Sequence, residues 1–158
     1  MLSVAALYHF APIPDPAAAR TSVLELCEAQ GIKGTLLLAG EGINGTIAGE
    51  RGALDAILAH IRLWPGFAGL HAKYSHAEEM PFGRMKVRLK REIVTMGVPG
   101  IDASNAGSHV APADWNALIA DPDIVLIDTR NDFEVAMGSF PGAINPHTDS
   151  FCQFPDWF

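Results

Sequence analysis

Residues 84–94, Arg-Met-Lys-Val-Arg-Leu-Lys-Arg-Glu-Ile-Val, alternate charged and apolar side chains with a period of two. Successive side chains of a β-strand point to opposite faces. The spacing therefore predicts a strand with Arg84, Lys86, Arg88 and Lys90 on one side and Met85, Val87 and Leu89 on the other. The alternation breaks after Lys90, where Arg91 falls in the apolar phase and Glu92 in the cationic one. Four like charges about 6.6 Å apart repel one another unless something anionic lies along them. A fold that uses this strand must bury one face and leave the other to water or to an anionic partner.

Upstream, Ser3 to Phe10 reads as a strand. Asp15-Pro16 supplies an N-cap and a first-turn proline for a helix, with Ala19, Val23, Leu26 and Cys27 on one stripe and Gly31 as the stop. Gly34 to Ala39 and Ile43 to Ala48 read as two strands joined at Gly40-Glu-Gly-Ile-Asn-Gly45. That segment fits G-x-G-x-x-G literally, but β-like residues follow it and no acid lies about 20 positions on, which weighs against a dinucleotide fingerprint. It reads as a glycine-permitted turn, with Gly42, Asn44 and Gly45 as candidates to approach a phosphate through exposed N–H groups.

A second helix is predicted over 51–62, with Leu54, Ile57, Leu58 and Ile61 on its apolar stripe. Residues 70–75 read either as a strand or as an extended connection. With the basic strand last, the order is β-α-β-β-α-β: an α+β, ferredoxin-like domain with helices on one face.

From residue 98 the composition turns small and polar, which marks a linker over 98–111. A helix follows from Pro112, then the apolar strand Asp123-Ile-Val-Leu-Ile-Asp128, a short helix from Asp132, and a further strand near Gly142. An apolar strand of this kind belongs in a parallel sheet covered on both faces. Two such strands and two short helices cannot cover their own faces, so residues 112–158 are expected to be the incomplete first half of an α/β domain.

The net charge of −7 conceals an asymmetry: residues 1–100 hold ten Lys/Arg and nine Asp/Glu, whereas residues 101–158 hold one and nine. Five of the eleven basic residues lie between Arg84 and Arg91, so local charge argues more about partners than the total does. Cys27 and Cys152 have no metal or disulfide spacing, which fits the cytoplasm. Cys27 reads as a small core residue. His71 and His76 match no metal-ligand spacing, no metal site is identifiable, and no apolar run is long enough to span a bilayer.

Two blocks carry a family resemblance. Residues 82–97, together with Glu41-Gly-Ile-Asn-Gly-Thr-Ile-Ala-Gly49, resemble the N-terminal domain of the bacterial rhodanese-domain tRNA uridine hydroxylases. Residues 127–151 resemble the opening half of their rhodanese domain. The resemblance implies three parts: a ferredoxin-like, RNA-contacting domain at 1–97, the linker, and a rhodanese-like half at 112–158 that stops before the catalytic Cys loop. It implies oxygen-dependent 5-hydroxylation of the wobble uridine, position 34 of tRNA, with molecular oxygen as co-substrate, tRNA as partner and no other identifiable cofactor.

On that basis no catalytic residue lies in this chain, and the nucleophilic Cys is expected beyond Phe158. The 158-residue chain alone is expected to be inactive, and its exposed half-domain to favour self-association. Cys152 lacks the glycine-rich loop that would present a thiolate.

Asp128 and Arg130, at the carboxyl end of a parallel strand, are candidates for shaping the active-site loop; equally they could form an internal pair that holds the strand-to-helix turn. Arg84, Lys86, Arg88 and Lys90 are the RNA-binding candidates, with Tyr8, Phe10 and Tyr74 as aromatic neighbours. Three alternatives remain open. The cationic row could be a solvated edge strand that discourages aggregation. The intact enzyme could instead transfer sulfur through a persulfide, although Ser139 stands where many rhodaneses have histidine. The first domain could be a docking or dimerisation module.

Overall fold

The computed structural model describes residues 1–98 and 107–158. Residues 99–106 of the predicted 98–111 linker lie outside the described residues. The chain divides into two units, Met1–Val94 and Thr95–Phe158.

In the first unit the elements run β1 (Leu2–Phe10), α1 (Pro16–Ala29), β2 (Lys33–Ala39), β3 (Gly42–Gly49), α2 (Arg51–Arg62), β4 (Ala72–Ala77) and β5 (Met85–Leu89). They form one five-stranded sheet in the order β4-β1-β3-β2-β5. The first four strands make the ferredoxin-like arrangement, with β1 antiparallel to both β3 and β4, and β2 antiparallel to β3. The basic strand differs from expectation. It is a fifth strand added beside β2 in parallel, and the fourth strand is Ala72–Ala77, the stretch that sequence left between strand and connection.

Local chemistry explains the helices. Asp15 caps α1, its Oδ1 accepting the N–H groups of Ala17 and Ala18 at 3.1 and 2.9 Å, with Pro16 at the first position. Such a cap stabilises a helix by about 1 kcal/mol. In α2, Leu54, Ile57, Leu58 and Ile61 are fully buried, while Arg51 and Asp55 pair on the solvent side at 3.0 Å. Burying each of the four aliphatic side chains contributes roughly 1.5–3 kcal/mol, so this stripe dominates the docking of α2.

Beneath the helices lie the inward residues of the strands, including Ala5, Leu7, Leu36, Leu38, Ile43, Ile47 and Val87. Cys27 belongs to this core and is fully buried. Burial pushes its thiol up to about 12, with a smaller contribution from the charge of Glu28.

The second unit contains α3 (Pro112–Ile119), α4 (Asp132–Ala136), a 3-10 turn at Phe151–Gln153 and α5 (Phe154–Trp157). The two strands predicted near 123–128 and 142 reduce to a single parallel bridge, Ile127↔Ile144. A parallel strand needs neighbours along its length, and among the described residues each of these segments finds one partner residue. Ile124, Val125, Phe133 and Met137 are correspondingly exposed.

Candidate functional site

The sheet of the first unit has two unlike faces, and strand register decides which side chains share each. One face is covered by α1 and α2. The other carries Tyr8, Asn44, Leu37 and Arg88 in a single cross-strand row, since Tyr8 pairs with Asn44, Asn44 with Leu37, and Leu37 with Arg88. The adjacent row runs Ala6, Thr46, Thr35 and Lys86 by the same pairings. Arg84, Arg88 and Lys90 are exposed and Lys86 is half-buried; Lys86 and Arg88 lie within β5, and Arg84 and Lys90 flank it.

The apolar phase of β5 is only partly sheltered. Val87 is buried and Met85 packs against the core, but Leu89 is 47% exposed because the strand ends there. Beyond it the chain turns back: the Ile93 N–H donates to Glu41 Oε1 at 2.7 Å, and Asn44 Nδ2 donates to the Ile93 carbonyl at 3.0 Å. Ile93 is therefore buried in a place of its own, which is why the alternation fails after Lys90.

β5 is an edge strand, a position that both an RNA rail and an anti-aggregation edge require. Its outer side is partly closed by Arg20 of α1, whose Nε donates to the Val87 carbonyl at 2.9 Å. Sequence gave no sign of this contact, because the two residues lie 67 positions apart.

The proposed phosphate turn is relocated. The hairpin between β2 and β3 consists of Gly40 and Glu41 alone, with Ala39 paired to Gly42. Gly42, Asn44 and Gly45 lie inside β3, which is paired on both sides, so they are strand residues and not turn residues. Gly45 has φ +153°, and a Cβ there would come within 2.1 Å of the Thr35 carbonyl oxygen. The glycine is required by close strand approach.

The aromatic candidates separate onto opposite faces. Tyr8 and Phe10 share the face opposite the helices, with ring centroids 5.1 Å apart and planes at 80°. The Tyr8 ring is 52% exposed, and partial burial followed by the Glu41 charge raises its phenol above the ordinary range, so it stays protonated at neutral pH. Tyr74 lies on the helix side, where its hydroxyl donates to Asp55 at 2.7 Å and the Arg51 guanidinium covers its ring at 3.6 Å.

In the second unit, Asp128 and Arg130 meet directly. Arg130 donates to both carboxylate oxygens, at 2.9 Å from Nε and 2.6 Å from a terminal nitrogen, and to the Gly138 carbonyl at 2.7 Å. Ser139 Oγ adds a 2.7 Å hydrogen bond to Asp128. Arg130 first and Ser139 second hold the Asp128 carboxyl far below the usual carboxylate range.

This clasp closes the 128–139 loop, as the internal-pair reading expects. It also walls a cavity of about 550 Å³ with Trp115 and Phe140. Ser139, singled out from sequence only for not being histidine, is the partner that reading the sequence missed.

A second clasp joins Asp132 to Asn145 Nδ2 and His147 Nδ1, both at 2.8 Å, with His147 at φ +55°. Among the described residues no group of three or more His, Cys, Asp or Glu could hold a metal ion. Among them, no helix is long and apolar enough to cross a membrane.

Comparison with known proteins adds the following. A family model described as the UPF0176 acylphosphatase like domain matches residues 2–93. A protein of Gluconobacter oxydans (strain 621H) named tRNA uridine(34) hydroxylase is 62% identical over 158 residues, 99% of this chain and 50% of its own length. A protein of the same name from Caulobacter vibrioides (strain NA1000 / CB15N) is 62% identical over 155 residues, 98% of this chain and 49% of its own. The chain thus spans about half the length of the curated relatives it matches. Among solved structures, the dark state of BlrB, a BLUF protein, aligns with TM-score 0.48 and 21% identity, covering 61% of this chain and 78% of that one.

Proposed function

The chain belongs to the UPF0176 acylphosphatase-like domain family, and from that premise we propose that it is the N-terminal half of a tRNA uridine(34) hydroxylase, with β5 holding the RNA. The observation that carries this is the 62% identity over 99% of the chain with a relative bearing that name. A match of that extent spans both units. The intact enzyme hydroxylates C5 of the uridine with molecular oxygen, one oxygen atom entering the base and the other leaving as water at the expense of a two-electron reductant.

In this reading the first unit binds and the second contributes a wall. Arg84, Lys86, Arg88 and Lys90 offer cations along one edge, and phosphate contacts of this kind supply most nucleic-acid affinity. Residues 112–158 are the opening of a rhodanese-like domain whose cysteine lies outside this chain. Asp128, Arg130 and Ser139 shape the rim against which that cysteine's loop closes. The exposed apolar side chains of this half favour self-association, and a tRNA substrate favours the cytoplasm.

The test is charge reversal at all four positions, Arg84→Glu, Lys86→Glu, Arg88→Glu and Lys90→Glu. Affinity for tRNA is expected to fall at least a hundredfold at low salt, and the slope of log affinity against log salt to lose about three to four. Unchanged affinity would leave a docking or dimerisation module. The 158-residue chain alone is expected to form no 5-hydroxyuridine, checked by nucleoside mass spectrometry.

A further inference from the structure

We propose that the face of the first-unit sheet opposite α1 and α2 is a platform for unpaired nucleotides, with one base stacked on Tyr8 and the sugar-phosphate chain running over Thr46 and Thr35 to Lys86 and Arg88. This rests on the tRNA reading above and adds to it a second contact of a different chemistry. The basic strand alone provides charge, which holds duplex and single-stranded RNA alike. An exposed aromatic on the same face selects bases that are free of a stack.

Three observations converge. First, register puts Tyr8 and Arg88 in one cross-strand row, three strand spacings or about 14 Å apart. A short run of unpaired nucleotides crosses that span; a single one does not. Second, the adjacent row of Ala6, Thr46 and Thr35 leads to Lys86 with small side chains that can lie under a chain, whereas Asn44 in Tyr8's own row is taken by the Ile93 carbonyl. Third, Tyr8 is free to be used. Its ring is 52% exposed and is buttressed edge-on by Phe10, whereas Tyr74 is already committed to Asp55 and Arg51.

The β5 end of the face carries Arg84, Lys86, Arg88 and Lys90 and takes the phosphates, and exposed Lys73, paired with Ala6, adds a cation near Tyr8.

The experiment uses the 158-residue chain with an anticodon stem-loop RNA carrying 2-aminopurine in the loop, and a fully paired duplex of the same length as the second probe. Tyr8→Ser is expected to weaken stem-loop binding roughly tenfold and to abolish the fluorescence change. It is expected to leave duplex binding and the salt slope unaltered. Tyr8→Phe keeps the ring and restores both signals, and thermal unfolding checks that each variant is folded.

If Tyr8→Ser binds the stem-loop as the parent does while the four-fold charge reversal still weakens it, the platform is overturned and the tRNA reading stands. If the charge reversal also changes nothing, both are overturned and the face docks another macromolecule.

Discussion

Residues 1–94 and residues 95–158 use similar apolar side chains to opposite ends. In the first unit Leu54, Ile57, Leu58 and Ile61 of α2 sit against Ile43, Ile47 and Leu7 of the sheet, and all seven are at most 1% exposed. In the second, Val125 is 70% exposed, Phe133 65% and Met137 85%, and only Pro146 and Thr148 among its described residues are buried. Hydrophobic content does not separate the two; pairing does. The first unit supplies five strands and two amphipathic helices that cover them. The second has one parallel bridge, and an apolar segment with one partner residue cannot bury both of its faces. Polar clasps, Asp128 with Arg130 and Ser139, and Asp132 with Asn145 and His147, tie its segments together beside ring contacts such as Trp115 with Phe140.

The two cysteines give the largest expected contrast. Cys27 is fully buried, with its thiol pushed up to about 12, whereas Cys152 is exposed. Toward an aromatic disulfide reagent at pH 8, Cys152 is expected to react at once and Cys27 on the order of a thousandfold more slowly, through transient opening. Two equally fast thiols would erase the distinction between a closed unit and an open one. The pH sense follows from the raised value: burial of the neutral thiol stabilises the fold at neutral pH. That contribution is lost as pH rises from the ordinary thiol range toward about 12.

Truncations read the same contrast on a smaller scale. Ile57→Ala removes a fully buried side chain and is expected to cost about 2–5 kcal/mol in urea unfolding. Met137→Ala, at a position 85% exposed, is expected to stay within about 0.5 kcal/mol. A comparable loss at Met137 would reveal an interior that the second unit does not otherwise display.

The smallest effect concerns the Asp128 clasp. Its carboxyl is held below the ordinary value of about 3.9, so its stabilising contribution is present above that pH and fades as pH falls through the depressed value. Carbon-detected NMR is expected to find Asp128 still ionised at pH 3. A midpoint near 4 would mean that the Arg130 and Ser139 contacts do not persist in solution.

Much of the first unit was written in local chemistry. Asp15-Pro16 announced α1 with its cap, the 54, 57, 58 and 61 stripe announced α2, and Cys27 fell on the buried stripe. The period of two in 84–90 set the strand and its cationic face. The second unit was legible only as helices, because α3 and α4 close their own hydrogen bonds. Its predicted strands depended on partners that sequence periodicity does not supply. At the candidate sites the residue types were visible, but not their groupings: Ser139 joining Asp128, Arg20 reaching Val87, and Tyr8 parting from Tyr74.

The basic strand marks that division most clearly. Sequence by itself determined that it is a strand and that its cations share a face, because alternation is a property of one chain segment. Only the tertiary structure decided that it lies parallel beside β2 as a fifth strand, in register with Tyr8 across three neighbours. Backbone hydrogen bonds between strands carry no side-chain signature of their own. The choice of neighbour is made by which apolar face α1 and α2 can cover at once.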